Sequence, residues 1–189
     1  IREFRVENSF RKKTRNMVRK AEKNGIRTEI VEPNEKLAQG IWKIFNETPI
    51  RQERASPHYG RPLERVTQDV LTSKDYTFVG AYLEGELAGF IQLVHGDQLT
   101  IITQILALQK YSDKAVNNAL IAKTIEVCAE KQVKWIMYGR LGNHQSLDKF
   151  KESNCFSKYP LIRYYIPLTR KGKIAIKIGL HRDFKDALP

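Results

Sequence analysis

Residues 76–108 read YTFVGAYLEGELAGFIQLVHGDQLTIITQILAL. Three apolar runs, Tyr76–Leu83, Leu87–His95 and Gln98–Leu108, are separated by Glu84-Gly85-Glu86 and by Gly96-Asp97. Connections this short, each carrying a glycine, join antiparallel neighbours, so the stretch predicts a three-stranded meander. A helix is expected next, over 114–131, with Ala115, Ala119, Ala122, Ile125 and Ala129 on a small-residue face. The run Val133–Tyr138 then predicts a buried strand. A helical crossover between strands makes that pair parallel, and the sheet mixed.

Upstream, Ser9 is placed to cap a helix over 10–24, with Phe10, Thr14, Met17, Val18 and Ala21 on one face and Gly25 as its stop. Arg27–Val31 alternates like a strand, and a second helix is expected over 35–46. Residues 48–62, TPIRQERASPHYGRP, have no period and hold three prolines and a glycine, which predicts a loop. A short helix over 63–72 leads into the meander. Beyond the fourth strand come a helix over 143–153, a strand over 156–168 interrupted by Pro160, and a basic, helix-leaning end. The division expected is a main domain, 1–168, and a basic extension, 169–189.

The 189 residues are 41% hydrophobic, enough for one buried core, with no run near the ~20 apolar residues of a membrane span. The net charge of +12 is concentrated at the ends. Residues 1–30 carry ten Lys/Arg against four Glu, and 163–189 carry seven against two Asp. Basic ends attract polyanions such as nucleic acid, the phosphates of a nucleotide ligand or an anionic membrane; they equally serve as a solvated, soluble face. Cys128 and Cys155 sit in no metal or redox motif, read as buried small hydrophobes, and fit a reducing cytoplasm. No spacing suits a metal site. The chain begins at Ile1, which leaves open a piece of a longer protein.

The order helix, strand, helix, loop and helix, meander, helix, strand, helix, strand resembles the GNAT N-acyltransferase fold over about Phe10–Leu168. Within it, Arg15–Gly25 (RNMVRKAEKNG) resembles a helix of FemAB-like acyltransferases. Asn143, Ser146 and Phe150 match the spacing of a GNAT N-x-x-A-x-x-x-Y segment, and 150–156 resemble its tail with one residue added. The resemblance implies an α/β fold with a mixed, mainly antiparallel central sheet flanked by helices. It implies transfer of an acyl group from acetyl-CoA or another acyl-CoA to an amine, without a metal. The alternatives are a FemAB-like transferase drawing on aminoacyl-tRNA, which suits the basic ends, and a degenerate domain that binds but does not react.

The family's phosphate loop is Q/R-x-x-G-x-G/A; here Gln109–Ala115 reads QKYSDKA, with no glycine. The resemblance assigns the donor to Leu106, Ala107, Leu108, Lys110, Tyr111, Ser112, Asp113, Lys114, Ala115 and Asn118, with Asn143 and Ser146 nearby. Ser112 and Asp113 also read as an ordinary helix cap. Phe150 stands where many members carry a tyrosine that protonates the leaving thiolate, which phenylalanine cannot do. In the 48–62 loop, Arg51, Gln52 and Arg54 are candidates to pair with an acceptor. His58, Tyr59 and Tyr138 are the candidate acid–base residues, the last at the end of a strand.

Overall fold

The computed structural model describes residues 10–51, 53–139, 145–162 and 164–180. The chain falls into two compact units, 1–157 and 158–189.

In the first unit, α1 (Lys12–Lys23) ends as the sequence suggests. Gly25 takes φ +80°. Its N–H bonds the carbonyl of Glu22 at 2.9 Å, while the N–H of Ile26 reaches Ala21 at 3.0 Å. Only a glycine takes this turn cheaply, and Ile26 is thereby folded back onto the helix's apolar face. The residue at the helix's N-cap is Arg11, whose side chain makes no cap bond; Ser9 lies outside the described residues. β1 (Arg27–Val31) follows, and Asn34 accepts the N–H of Leu37 at 2.8 Å to start α2 (Glu35–Asn46).

The expected loop is more ordered than its composition suggests. Ile50–Arg51 (β2) and Arg54–Ala55 (β3) form a small hairpin. The indole of Trp42 donates to the carbonyl of Arg61 at 3.0 Å, and Asn46 accepts the N–H of Gly60 at 2.8 Å. These bonds staple the loop to α2, a contact that local periodicity cannot register. α3 (Leu63–Leu71) then leads into the meander β4 (Tyr76–Leu83), β5 (Glu86–His95) and β6 (Leu99–Ala107). The β4–β5 turn is tighter than expected: Glu84 and Gly85 both take positive φ, +51° and +83°, and Glu86 joins the strand.

A 3₁₀ turn, Gln109–Lys114, precedes α4 (Val116–Glu130), so Lys114 and Ala115 lie before the helix rather than in it. Ala115 is left-handed, φ +58°, which breaks the helix at that point. β7 is only Trp135–Met137, and Trp135 is 65% exposed, so the expected buried strand is a short edge strand. α5 (Gln145–Ser153) closes the unit.

The sheet order is β1-β4-β5-β6-β7, antiparallel throughout except for the parallel pair β6–β7. Each face carries a core. Val18 and Ala21 of α1 and Leu120 and Ile121 of α4 pack on Val79, Ile91 and Leu93. On the opposite face, Leu37, Ile41 and Phe45 of α2 and Val66 and Val70 of α3 pack on Phe78 and Phe90. Each such fully buried side chain contributes roughly 1.5–3 kcal/mol. Cys128 is buried as expected, but Cys155 is exposed, at φ +68° just beyond α5.

No described residue of 156–168, a stretch that runs from the end of the first unit into the second, belongs to a strand. Leu161, Ile162, Ile166 and Leu168 are each at least 71% exposed, and among the described residues no strand pairs with this stretch. α6 (Arg170–Lys177) is capped by Thr169, whose hydroxyl accepts the N–H of Gly172 at 3.0 Å. Among the described residues, no helix is long and apolar enough to cross a membrane.

Candidate active site

The parallel pair β6–β7 holds for three rungs, Leu99–Trp135, Thr100–Ile136 and Ile101–Met137. β6 then runs on to Ala107 while β7 ends, so the sheet parts beyond Ile101. α4 begins close to the continuing part of β6. A side chain on Gly89 of β5 would meet Val116 at 2.9 Å and Ala107 at 3.0 Å, so the absence of a Cβ lets the helix start lie against the sheet. The first turn of an α-helix offers unsatisfied N–H groups and a positive dipole end, which suit an anion.

The 3₁₀ turn between them is held by a residue outside the sequence-predicted set. Both carboxylate oxygens of Glu47, at the end of α2, accept backbone N–H groups: Gln109 at 2.6 Å and Lys110 at 3.1 Å. The same carboxylate pairs with Arg51 at 3.1 Å. Arg51 also donates to the carbonyls of Ile44, at 2.6 Å, and Ala107, at 2.9 Å. One guanidinium therefore ties α2, the end of β6 and the turn together. Lys110 is bound to Glu86 at 2.6 Å, and Tyr111 donates to the same carboxylate at 2.7 Å. These bonds hold Glu86 below the usual carboxylate range and raise Lys110 and Tyr111. Among the described residues, the ammonium of Lys114 has no ion-pair partner.

On the α2–α3 face, the decisive feature is a bulge in β6. Gln92 pairs with Gln104 and Leu93 with Ile102, leaving Thr103 as an extra residue whose hydroxyl donates to the carbonyl of Gln92 at 3.0 Å. An extra residue moves every later side chain to the other face. Ile102 thus belongs to the α1–α4 core, whereas Gln104 lines a 310 Å³ cavity under α2 and α3. There Gln104 Nε2 meets His58 Nε2 at 2.9 Å. The imidazole stacks on Phe45, ring centres 4.4 Å apart, and its Nδ1 is buried without a hydrogen-bond partner among the described residues. Burial, with Arg61 and Arg51 nearby, lowers the His58 pKa, which keeps the ring neutral at pH 7.

Residues 8–152 match the family described as Acetyltransferase (GNAT) domain. The chain belongs to the GNAT acetyltransferase family. That makes it an acyl-transfer enzyme by family, with a fold that solved GNAT structures share. The ribosomal-protein-alanine N-acetyltransferase from Brucella melitensis biovar Abortus 2308 is 12% identical, covering 76% of this chain and 99% of that one at a TM-score of 0.58. AAC(6')-Iy, solved in complex with the bisubstrate analogue CoA-S-monomethyl-acetylneamine, is 12% identical over 75% and 97%, at 0.56. The aminoglycoside acetyltransferase meta-AAC0020 from an uncultured soil metagenomic sample is 14% identical over 76% and 97%, at 0.55. No curated protein matches the sequence.

Within the GNAT domain the sequence-predicted residues are spread over several environments. Leu106 and Leu108 turn their side chains into the α2–α3 core and Ala107 packs against the other. The carbonyl of Ala107 is taken by Arg51, and the N–H of Leu108 by Ala88 at 2.9 Å. Ser112 and Asp113 are exposed on the turn, and neither makes the helix cap that their side chains suggest. Asn118 is buried and donates to Asn154 at 3.2 Å; Asn154 also donates to the carbonyl of Phe150 at 2.8 Å. That pair ties α5 to the start of α4, and Thr14 of α1 donates to the carbonyl of Ser153 beside it. Arg54, Tyr59 and Ser146 are exposed; Gln52 and Asn143 lie outside the described residues.

Tyr138 lies on the other side of the sheet from His58. It packs against the α1–α4 core, edge-on to Phe156, with the ammonium of Lys151 4.7 Å from its ring centre. Burial pushes its hydroxyl up to about 12. Lys151, only 3% exposed, is lowered by the same desolvation. Sequence reasoning passed over Glu47, Gln104 and Lys151, because a helix-end glutamate, a strand glutamine and a helix lysine carry no local signal. Among the described residues, no group of three or more His, Cys, Asp or Glu is placed to hold a metal.

Proposed function

We propose that the chain transfers an acyl group from acyl-CoA to a primary amine. The parting of β6 from β7 beyond Ile101, over the start of α4, carries this reading, because it leaves an opening beside an anion-attracting helix end. Lys114 and the first turn of α4 would hold the donor's phosphates; the thioester, when bound, supplies the activated carbonyl. Those residues suit an anion even without the family's glycines, since Lys114 lies one residue before the left-handed Ala115.

The amine would enter through the cavity. Its nitrogen attacks the carbonyl carbon, the C–N bond forms, the C–S bond breaks and CoA leaves as a thiolate. His58 is the residue suited to take the amine proton, at Nε2, when the acceptor displaces the carboxamide of Gln104. A neutral imidazole beside the bulge supports that role. Tyr138 is unsuited: an acid of pKa about 12 gives up a proton poorly to a thiolate, whose own pKa is roughly 8.5. Orientation of the amine against the thioester supplies much of the remaining rate.

Calorimetric titration with acetyl-CoA, followed by thiol release on addition of amines, tests this. Micromolar binding that is lost in Lys114→Glu supports it. No binding at millimolar acetyl-CoA refutes it. Binding of aminoacyl-tRNA in its place, weakening steeply with salt, would favour the FemAB-like alternative.

A further inference from the structure

The exposed apolar side chains of the protein are gathered in one segment. Of the 17 large hydrophobic residues that stand exposed among the described residues, ten lie between Tyr159 and Leu180. Seven of these are leucine or isoleucine and three are tyrosine. Single apolar residues are ordinary on a surface, but a concentration of them marks a contact. The same segment is basic: residues 158–180 hold six Lys/Arg and no Asp or Glu. Arg170, Lys171, Lys173 and Lys177 have no ion-pair partner among the described residues. α6 and its C-cap combine the two characters. Ile174 and Ile178, one turn apart and both exposed, share a stripe, with Lys173 and Lys177 beside it. Gly179, at φ +80°, ends the helix, and the N–H of Leu180 bonds the carbonyl of Ala175 at 2.9 Å, which holds a further exposed leucine at the last turn.

We infer that this segment binds the surface of an anionic lipid bilayer, lying on it rather than crossing it. A bilayer interface offers both halves of what the segment presents: anionic head groups for the cations, and hydrocarbon beneath them for leucine and isoleucine. Lysine stems reach past an apolar stripe to the head groups, and tyrosine rings settle at the same level. RNA would satisfy the cations and stack on the tyrosines, but the seven aliphatic side chains would still face water. A protein partner would have to be apolar and acidic at once, and the buried centres of protein interfaces are poor in lysine. No described helix is long and apolar enough to cross a bilayer, and α6 has eight residues, so the contact is peripheral. Such docking is independent of the acyl-transfer reading.

Flotation of the full chain with lipid vesicles tests this. The vesicles are phosphatidylcholine alone, or phosphatidylcholine with phosphatidylglycerol at about 2:1, in about 0.1 M salt, where the Debye length is about 10 Å. Two variants alter only exposed positions: Lys171→Gln with Lys173→Gln and Lys177→Gln, and Ile166→Ser with Leu168→Ser. Thermal melting of both should match the parent, which shows that they fold. The parent should float with the mixed vesicles and not with phosphatidylcholine alone. The lysine variant should bind the mixed vesicles about 100-fold more weakly, since each cation near an anionic surface contributes roughly fivefold. The serine variant should bind them at least tenfold more weakly. No flotation with the mixed vesicles, or flotation indifferent to the serine substitutions, would overturn the inference. So would binding of polyuridylate RNA, without flotation, that the lysine variant loses and the serine variant keeps, because the surface would then belong to a nucleic acid. Light scattering that shows a stable dimer in the parent and a monomer in the serine variant would overturn it too, with a second copy covering these side chains.

Discussion

Removing the carboxylate of Glu47 should loosen the protein at the point where the 48–62 loop meets the 109–114 turn. The carboxylate accepts two backbone N–H groups, from Gln109 and Lys110, and pairs with Arg51. Hydrogen bonds to a charged group contribute about 1.5–3 kcal/mol each, though they are not additive. Glu47 and Arg51 are 19% and 15% exposed, between a surface pair of roughly 0–1 kcal/mol and a buried one that costs about 3–5 kcal/mol to break. Arg51 keeps its two carbonyl partners in the variant, which limits the damage. Glu47→Ala should therefore cost about 3 kcal/mol, and Glu47→Gln, which retains one acceptor, about half of that. For a domain of this size this lowers the Tm by roughly 6–12 °C in the alanine variant. Thermal melting followed by circular dichroism reads it directly. A double-mutant cycle with Arg51→Lys should give a coupling of at least about 1 kcal/mol, since a lysine cannot reach two carbonyls and a carboxylate together. A Tm within 2 °C of the parent for Glu47→Ala, or a coupling near zero, would refute the reasoning.

His58→Gln should lower kcat by about 10²-fold with KM changed little, since general-base help contributes on that order. In the parent, kcat/KM should fall on the acid side with an apparent pKa below 6.5, because His58 is lowered by burial and by Arg61 and Arg51. The same depression makes folding stability complete above pH ~6.5 and progressively lost as pH falls through the folded-state value, visible in urea midpoints. Lys114→Glu should weaken acetyl-CoA binding more than Lys110→Glu does, because Lys110 is already neutralised by Glu86; calorimetry with the two variants decides it. Gly89→Ala should cost about 1–3 kcal/mol in chemical denaturation, as the new methyl group meets Val116, Ala107 and the carbonyl of Leu106. Tyr138→Phe should leave kcat within about twofold of the parent, and a 10²-fold loss in steady-state assays would instead make the tyrosine the acid.

Much of the fold could be read from the sequence because its signals are local. β1, α2 and β4 fall where alternation, helical periodicity and a glycine-bearing turn put them. The failures share a cause. Gly60 and Arg61, at the end of the 48–62 loop, are held by Asn46 and Trp42 reaching across from α2, and among the described strands β7 pairs with β6 alone, which makes it an edge strand. The apolar 156–168 stretch alternates as a strand does, but alternation reports only a demand for a partner, which no described strand meets. At the site, His58 stood out by residue type in an unusual loop. Gln104 did not, because its face is decided by one extra residue in β6, a fact invisible until the register with β5 is known.

The absence of glycine from the 109–114 turn is explained by what already occupies it. Glycines in such a loop let phosphate approach several backbone N–H groups at once. Here the first two, on Gln109 and Lys110, are taken by Glu47, so a phosphate there would meet a carboxylate instead of free donors. Close approach at that end has nothing to offer, so a side chain is tolerated at Ser112, the first of the two positions where the family's loop carries glycine. On the proposed reading, anion binding falls instead to Lys114 and the start of α4. There the left-handed Ala115, rather than a glycine, makes the break between turn and helix. The same carboxylate holds Arg51, which reaches Ala107 on β6 three residues beyond Gln104. The 109–114 turn and the end of β6 are therefore joined through one ion pair, and a change at Glu47 should disturb both.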